Sequence, residues 1–351
     1  FKLIPDEIHD HLLQYFSVGE VLDVISLVSK SWYEISASSP NCMKRIKLNF
    51  RHRRRNDFAE KIEAVKWMSR SGARKYQHLQ INCLLDEGVS SEVWKFLESL
   101  GGSVETINIR SMKFDVELEK LSLPKLEELK VMFVPREGMN WFLKSSENFR
   151  KLILRNEFPL CYDGIDYTPT EATLDSVRCC LKNNQKLDEI EIQGRPHFLS
   201  FFHEILPEIP DLKKFVVKIE MSPEKINPEN EENFLNFLTR QAHCLEHLYI
   251  DHCGIKVIQH VFNKMPALTF IRFDIVLKEP NKFVVSEQNL EVNDRIKQLE
   301  LPYIDLFADL KEFLVLVPNV EELLIGHVNP FFIEHAATNL PNLKSVVYRY
   351  D

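Results

Sequence analysis

Apolar positions in this chain keep returning to one six-residue arrangement, apolar-x-x-apolar-x-apolar. It stands at Met43/Ile46/Leu48, Tyr76/Leu79/Ile81, Val104/Ile107/Ile109, Leu126/Leu129/Val131, Phe149/Leu152/Leu154 and Leu187/Ile190/Ile192. It continues at Leu212/Phe215/Val217, Leu245/Leu248/Ile250, Leu268/Ile271/Phe273, Ile296/Leu299/Leu301, Val320/Leu323/Ile325 and Leu343/Val346/Tyr348. From one third anchor to the next the steps are 33, 28, 22, 23, 38, 25, 33, 23, 28, 24 and 23 residues. The second and third anchors lie two residues apart, the period of an extended strand, so both point to one face. Burying one such anchor stabilises by roughly 1.5–3 kcal/mol, provided a neighbouring copy covers it. One hexamer carries little weight; twelve at near-regular steps predict twelve short strands laid side by side.

Between hexamers the periodicity turns helical. Thr168-Pro169-Thr170-Glu171 places a cap, a proline at the first helical position and an acid three residues after the cap. Leu174, Val177 and Leu181 follow at helical spacing, up to Asn183-Asn184. Asn227-Pro228-Glu229 opens a second such segment, with Phe234, Leu235 and Leu238 on one face. Strands joined by helices run parallel, which predicts an α/β class and, over many copies, a horseshoe with the strands on its concave side. The stretch Leu245-Glu-His-Leu248-Tyr-Ile250-Asp-His-Cys253-Gly-Ile255 resembles the cysteine-type leucine-rich repeat, with Cys253 in the Asn/Cys slot and Ile255 as the next anchor. That resemblance implies a leucine-rich-repeat solenoid over residues 41–351. Three of its steps exceed the usual ~20–29 residues and carry inserted loops.

Residues 1–40 do not repeat. Ile4-Pro5-Asp6-Glu7-Ile8 reads as a helix start, with Pro5 inside the first turn and two acids near the positive end of the dipole. Ile8, Leu12 and Phe16 line one face; Val21, Ile25 and Val28 mark a second helix, and Trp32 with Ile35 a third. Three short helices in so few residues do not bury a self-sufficient core, so this all-α module rests on the repeats, on a partner, or on both.

Leu3-Ile-Pro-Asp-Glu-Ile-His-Asp-His-Leu-Leu-Gln-Tyr-Phe16, followed by Val28-Ser-Lys-Ser-Trp-Tyr-Glu-Ile35, resembles an F-box. The family pattern is Leu-Pro-x-Glu-Ile, an apolar helix, then Val-Ser/Cys-Lys-x-Trp. Here Ile4 replaces the usual leucine, His9 stands where many members carry leucine, and Gly19-Glu20-Val21-Leu22 replaces the commoner Asp-Leu-Leu. With the repeats behind it, the whole resembles an F-box/leucine-rich-repeat protein. The resemblance implies docking to a Skp-type adaptor and, through it, to the cullin scaffold of a RING ubiquitin ligase. The repeats would hold the protein substrate, and the chain itself would catalyse nothing. The adaptor contacts it implies are Pro5, Ile8, Leu12, Leu13, Phe16, Val28 and Trp32. For Trp32 and Val28, together with Ile25, packing within the bundle or against the first repeat is the competing role. The competing function is a repeat scaffold whose F-box-like start no longer docks an adaptor.

Composition narrows the remaining choices. A chain of 351 residues exceeds what one ordinary core needs, and 44% apolar with 27% charged residues describes a folded protein. A formal charge of -8 argues against a general pull toward nucleic acid or anionic lipid, and no apolar run approaches a membrane span. Seven cysteines without framework spacing and the lack of any Asn-x-Ser/Thr site favour the cytoplasm or nucleus. The chain opens on Phe1, as a trimmed sequence would. Gly101-Gly102 is the only adjacent glycine pair, so no glycine loop cradles phosphate, and no cofactor is expected.

His243, Cys244, His247, His252 and Cys253 crowd ten residues, yet a strand sends alternate side chains to opposite faces and keeps the five from one metal. Cys179-Cys180 sits on a predicted helix, and His203-Glu204 lacks the second histidine of a zinc-protease helix. Arg51-His-Arg-Arg-Arg55 is a nuclear address, an anion patch or a solvated loop. Strand positions expected to face solvent carry Arg45, Lys47, Arg110, Lys130, Lys151 and Arg155 against Glu128 in the first five copies. In the last seven they carry Lys214, Lys218, Arg272 and Arg349 against Glu189, Glu191, Asp251, Asp274, Glu300 and Glu322. The asymmetry is either chance on an ordinary polar sheet face or a basic half that suits an acidic or phosphorylated segment. The long step after Leu154 holds Phe158, Tyr162 and Tyr167; either the two tyrosines anchor a partner beside Lys130, Lys151 and Arg155, or all three rings tuck beneath their own loop.

Overall fold

The computed structural model describes residues 5–17, 20–43, 46–51, 63, 76–85, 87–112, 122–132, 143–144, 146–155, 171–194, 204–219, 228–275, 284–302, 310–326, 336 and 338–348. Contacts group the chain into two units, Phe1–Leu154 with Tyr162–Lys186, and Arg155–Cys161 with Leu187–Asp351.

The first unit begins with a small helical bundle: α1 (Asp6–Leu13), a π-helical turn (Val21–Ile25) running into α2 (Ser26–Val28), α3 (Lys30–Ser38) and α4 (Pro40–Met43). Pro5 lies outside α1, with ψ 149°, and caps it. Its carbonyl accepts from the Ile8 and His9 N–H groups. Lacking an N–H, proline loses nothing at that position. Ser17 and Glu20 satisfy each other reciprocally: the Ser17 N–H donates to Glu20 Oε2 at 2.7 Å and the Glu20 N–H to Ser17 Oγ at 3.2 Å. Ser29 caps α3 through the Trp32 N–H, and Ser39 caps α4 through the Cys42 N–H. Asp10 accepts from Ser39 Oγ and Asn41 Nδ2, tying α1 to the start of α4. The core inside is small, made of His9, Leu13, Val21, Ala37, Cys42 and Met43, with the His9 ring edge-on to Trp32 at 4.9 Å.

The rest of this unit holds β1 (Lys47–Arg51), β2 (His78–Leu85), α5 (Glu87–Leu100), β3 (Thr106–Met112), β4 (Glu128–Met132), the start of β5 (Lys151–Arg155) and α6 (Glu171–Asn183). The second unit holds β6 (Glu189–Gly194), β7 (Lys214–Ile219), α7 (Pro228–Gln241), β8 (His247–Cys253), α8 (Ile255–Lys264), β9 (Phe270–Ile275), β10 (Gln298–Leu301), α9 (Leu310–Val315), β11 (Glu322–Ile325) and β12 (Ser345–Tyr348). Within each unit the strand order follows the chain, and every described register is parallel. The class is therefore α/β.

The registers align the second anchors of successive hexamers. Leu79 meets Ile107, which meets Leu129; Ile190 meets Phe215, then Leu248, Ile271, Leu299, Leu323 and Val346. The first copy departs from this. Leu48, expected as its third anchor, pairs with Leu79, so Leu48 and Phe50 are the true second and third anchors. Met43 and Ile46 mimic the pattern because both are apolar and buried, but Met43 belongs to α4.

Two polar devices recur with the anchors. Before many of the described strands a carbonyl accepts two successive N–H groups of the next: Glu127 takes Arg150 and Lys151, Glu246 takes Thr269 and Phe270, and Thr269 takes Lys297 and Gln298. After α6 and at the end of α7, a buried amide turns back to the first anchor of its own copy. Asn184 Oδ1 accepts the Phe149 N–H at 2.7 Å, and Gln241 Oε1 accepts the Leu212 N–H at 2.8 Å. Backbone groups that would otherwise be buried without partners are thereby satisfied. Helices cover the anchor face: Phe215 meets Phe237 at 4.8 Å and Phe234 at 6.2 Å, and Phe313 meets Phe262 and Phe273. On α7 the buried face is Phe234, Phe237 and Leu238, while Leu235 is half-buried.

Candidate docking surfaces

Two apolar stripes run along α1. His9 and Leu13, four residues apart, point into the bundle; Ile8 and Leu12, also four apart, point out. Leu13 is fully buried, so its place is in the core beneath the outward stripe. Tyr15 (74% exposed) and Phe16 extend that stripe, and Val24, Leu27 (76%) and Val28 (67%) stand outside the next helical segment. Of the three residues whose spacing marks the second helix, Val21 is buried, Ile25 half-buried and Val28 exposed. The π turn is the cause, because an i→i+5 pitch shifts the phase of everything after it. Pro5 is exposed and Trp32 half-buried against His9. Among the described residues, the other large exposed apolar side chains are Val292, Val315 and Val347, far apart in sequence. Seven such side chains fall between Ile8 and Val28, and exposed apolar groups concentrated in this way suit an interaction surface. Tyr15, Val24 and Leu27 escaped the sequence reading. The Ser17-x-x-Glu20 box was legible in the sequence, whereas the π turn after it was not.

The second surface is the sheet face opposite the buried anchors. In the first unit it carries half-buried Lys130 in a row with Gln80 and Asn108, half-buried Lys151 at the start of β5, and His78 Nδ1 bonded to Thr106 Oγ1 at 2.8 Å. In the second unit charges interlock across strands. Glu191 Oε1 accepts from Arg155 Nη2 at 2.8 Å and from Lys218 Nζ at 3.0 Å. Burial opposes ionisation of Glu191, but Lys218 and then Arg155 outweigh it and hold the carboxyl below the usual carboxylate range. Lys214 lies 3.0 Å from Glu189, and Arg272 binds Glu300 and lies 4.0 Å from Asp251. Arg155, expected as an anchor for an acidic segment, thus already shares a carboxylate with Lys218. Phe158, Tyr162, Tyr167 and the Thr168 cap lie outside the described residues, as do residues 52–55 of the basic run.

Among the described residues no group of three or more His, Cys, Asp or Glu side chains is placed to hold a metal. His247 and Cys253 sit on β8 as expected, with Cys253 buried and the His247 ring 5.6 Å from Phe270. Burial pushes the Cys180 thiol up to about 12, which leaves it protonated and inert. Among the described residues, no helix is long and apolar enough to cross a membrane.

Residues 1–44 match the F-box domain family, and the chain carries an F-box there. The chain is also similar to the Baculoviral IAP repeat-containing protein 1e of Mus musculus, at 25% identity over 242 residues, which covers 65% of this chain. The chain spans only 16% of the length of that curated relative.

Proposed function

We propose that this chain is the substrate-recognition subunit of a cullin-RING ubiquitin ligase. Residues 1–40 dock a Skp-type adaptor, and residues 41–351 form a leucine-rich-repeat solenoid that holds a protein substrate. F-box proteins are typically non-catalytic adaptors, and F-box domains generally bind Skp-type partners. The observation that carries the reading is the apolar patch of Ile8, Leu12, Tyr15, Phe16, Val24, Leu27 and Val28, outside a bundle too small to bury it. Pro5 is exposed at the start of α1, Trp32 packs half-buried against His9, and Leu13 lies in the core beneath the outward stripe. In-register second anchors and recurring carbonyl and amide devices support the repeat assignment. The substrate surface is the sheet face opposite the helices. An acidic or phosphorylated segment would meet Lys130 and Lys151 there.

Affinity purification of the intact chain from cells, followed by identification of the bound proteins, tests the reading. Adaptor and cullin are expected to appear together, and both to vanish when Ile8 and Leu27 are changed to Asp. Recovery of neither with the unaltered chain would favour a scaffold with a degenerate F-box.

A further inference from the structure

The register of β6–β10 sets two rows of side chains on the sheet face opposite the helices. One runs Glu189, Lys214, His247, Phe270, Gln298; the other runs Glu191, Val216, Tyr249, Arg272, Glu300. The charges in this strip are settled among themselves. Lys214 holds Glu189, Lys218 and Arg155 hold Glu191, and Arg272 holds Glu300 with Asp251 beside it. An anionic ligand here would have to pull each cation from a carboxylate already in place, and would gain little.

What the strip offers besides paired charge is ring surface. His247 and Phe270 lie 5.6 Å apart at 31°. The Arg272 guanidinium stands 4.2 Å from the Tyr249 ring centre, and Lys218 Nζ stands 5.3 Å from it. All three rings are half-buried, so each keeps part of its surface exposed. Burial and then Lys214 push the His247 pKa down, while burial and then Asp251 push that of Tyr249 up, so both rings stay neutral near pH 7. A tyrosine stacked on an arginine, beside a second aromatic pair and ringed by mutually satisfied ions, has the composition of an interface hot spot.

We infer that His247, Phe270 and Tyr249 form a seat for an extended protein segment that presents an uncharged aromatic side chain. The inference rests on the proposal that this sheet face holds the substrate, and it names a substrate chemistry that its acidic-segment version does not. An incoming ring would pack offset or edge-on against His247 and Phe270, with Tyr249 fixed beneath it by Arg272.

Panning the intact chain against phage displaying random linear dodecapeptides tests the seat directly. Enriched peptides are expected to carry Phe, Tyr or Trp, to have net charge near zero, and to bind equally well in about 50 and 500 mM NaCl. Tyr249→Ala and Phe270→Ala are each expected to weaken them at least about tenfold. Tyr249→Phe, which keeps the ring, and Lys264→Gln on the exposed side of α8 should leave binding intact. Melting curves exclude variants that fail to fold. Acid-rich, salt-sensitive peptides that ignore Tyr249→Ala and are lost on Lys130→Glu would overturn the seat while sparing the broader reading. Failure to enrich any peptide would overturn the seat as well, and adaptor co-purification would then judge the broader reading separately.

Discussion

Leu248 is fully buried between Phe215 and Ile271 in the line of second anchors. Truncating it to alanine removes that burial and leaves a cavity that parallel strands on both sides cannot easily close. The expected cost is about 2–5 kcal/mol, read as a lower denaturant midpoint. An unchanged midpoint would mean the anchor is not where the register puts it. Glu191 makes a different case, because its contribution depends on charge. Its folded pKa is depressed, so its pairing with Lys218 and Arg155 stabilises above the ordinary glutamate value of about 4.3 and is lost as pH falls through the lower folded value. The melting temperature of the unaltered chain should therefore drop over that acid window. Glu191→Gln should shrink this drop, and an identical acid profile in the variant would remove the pair from the account.

At the scale of elements, eleven of the twelve hexamers mark strands in the expected frame, because a period of two with one buried face is hard to mistake when neighbouring copies repeat it. The first hexamer slips by two residues, since Met43 and Ile46 are buried for a reason unrelated to the sheet. On α7, Phe237 takes the buried place assigned to Leu235 because the larger rings close around Phe215. The last copy is the loosest, with Leu343 and Val346 half-buried and Val347 exposed. Candidate site residues were harder to read. Periodicity located Ile8, Leu12 and Phe16 on one stripe but could not say which stripe faces outward, and it carried no sign of the π turn that exposes Val24 and Val28. Charge counting put Arg155 in a basic patch, whereas the strand pairing that sets Glu191 and Lys218 around it is a long-range fact.

For the molecule as a whole, the two proposed surfaces use different residues and should fail separately. The apolar patch of the F-box is formed by residues 8–28, and the core behind it uses His9, Leu13, Val21 and Ala37, so outward side chains can change without unfolding the bundle. The anchor-lined sheet shares none of those residues. Titration calorimetry of the purified chain with a purified Skp-type adaptor tests the proposed docking most directly. The unaltered chain is expected to bind tightly with one-to-one stoichiometry. Leu12→Asp with Leu27→Asp should weaken binding at least about a hundredfold, as loss of two desolvated contacts at an interface centre does, while the melting curve stays unchanged. Undiminished adaptor affinity in the folded double variant would contradict the account.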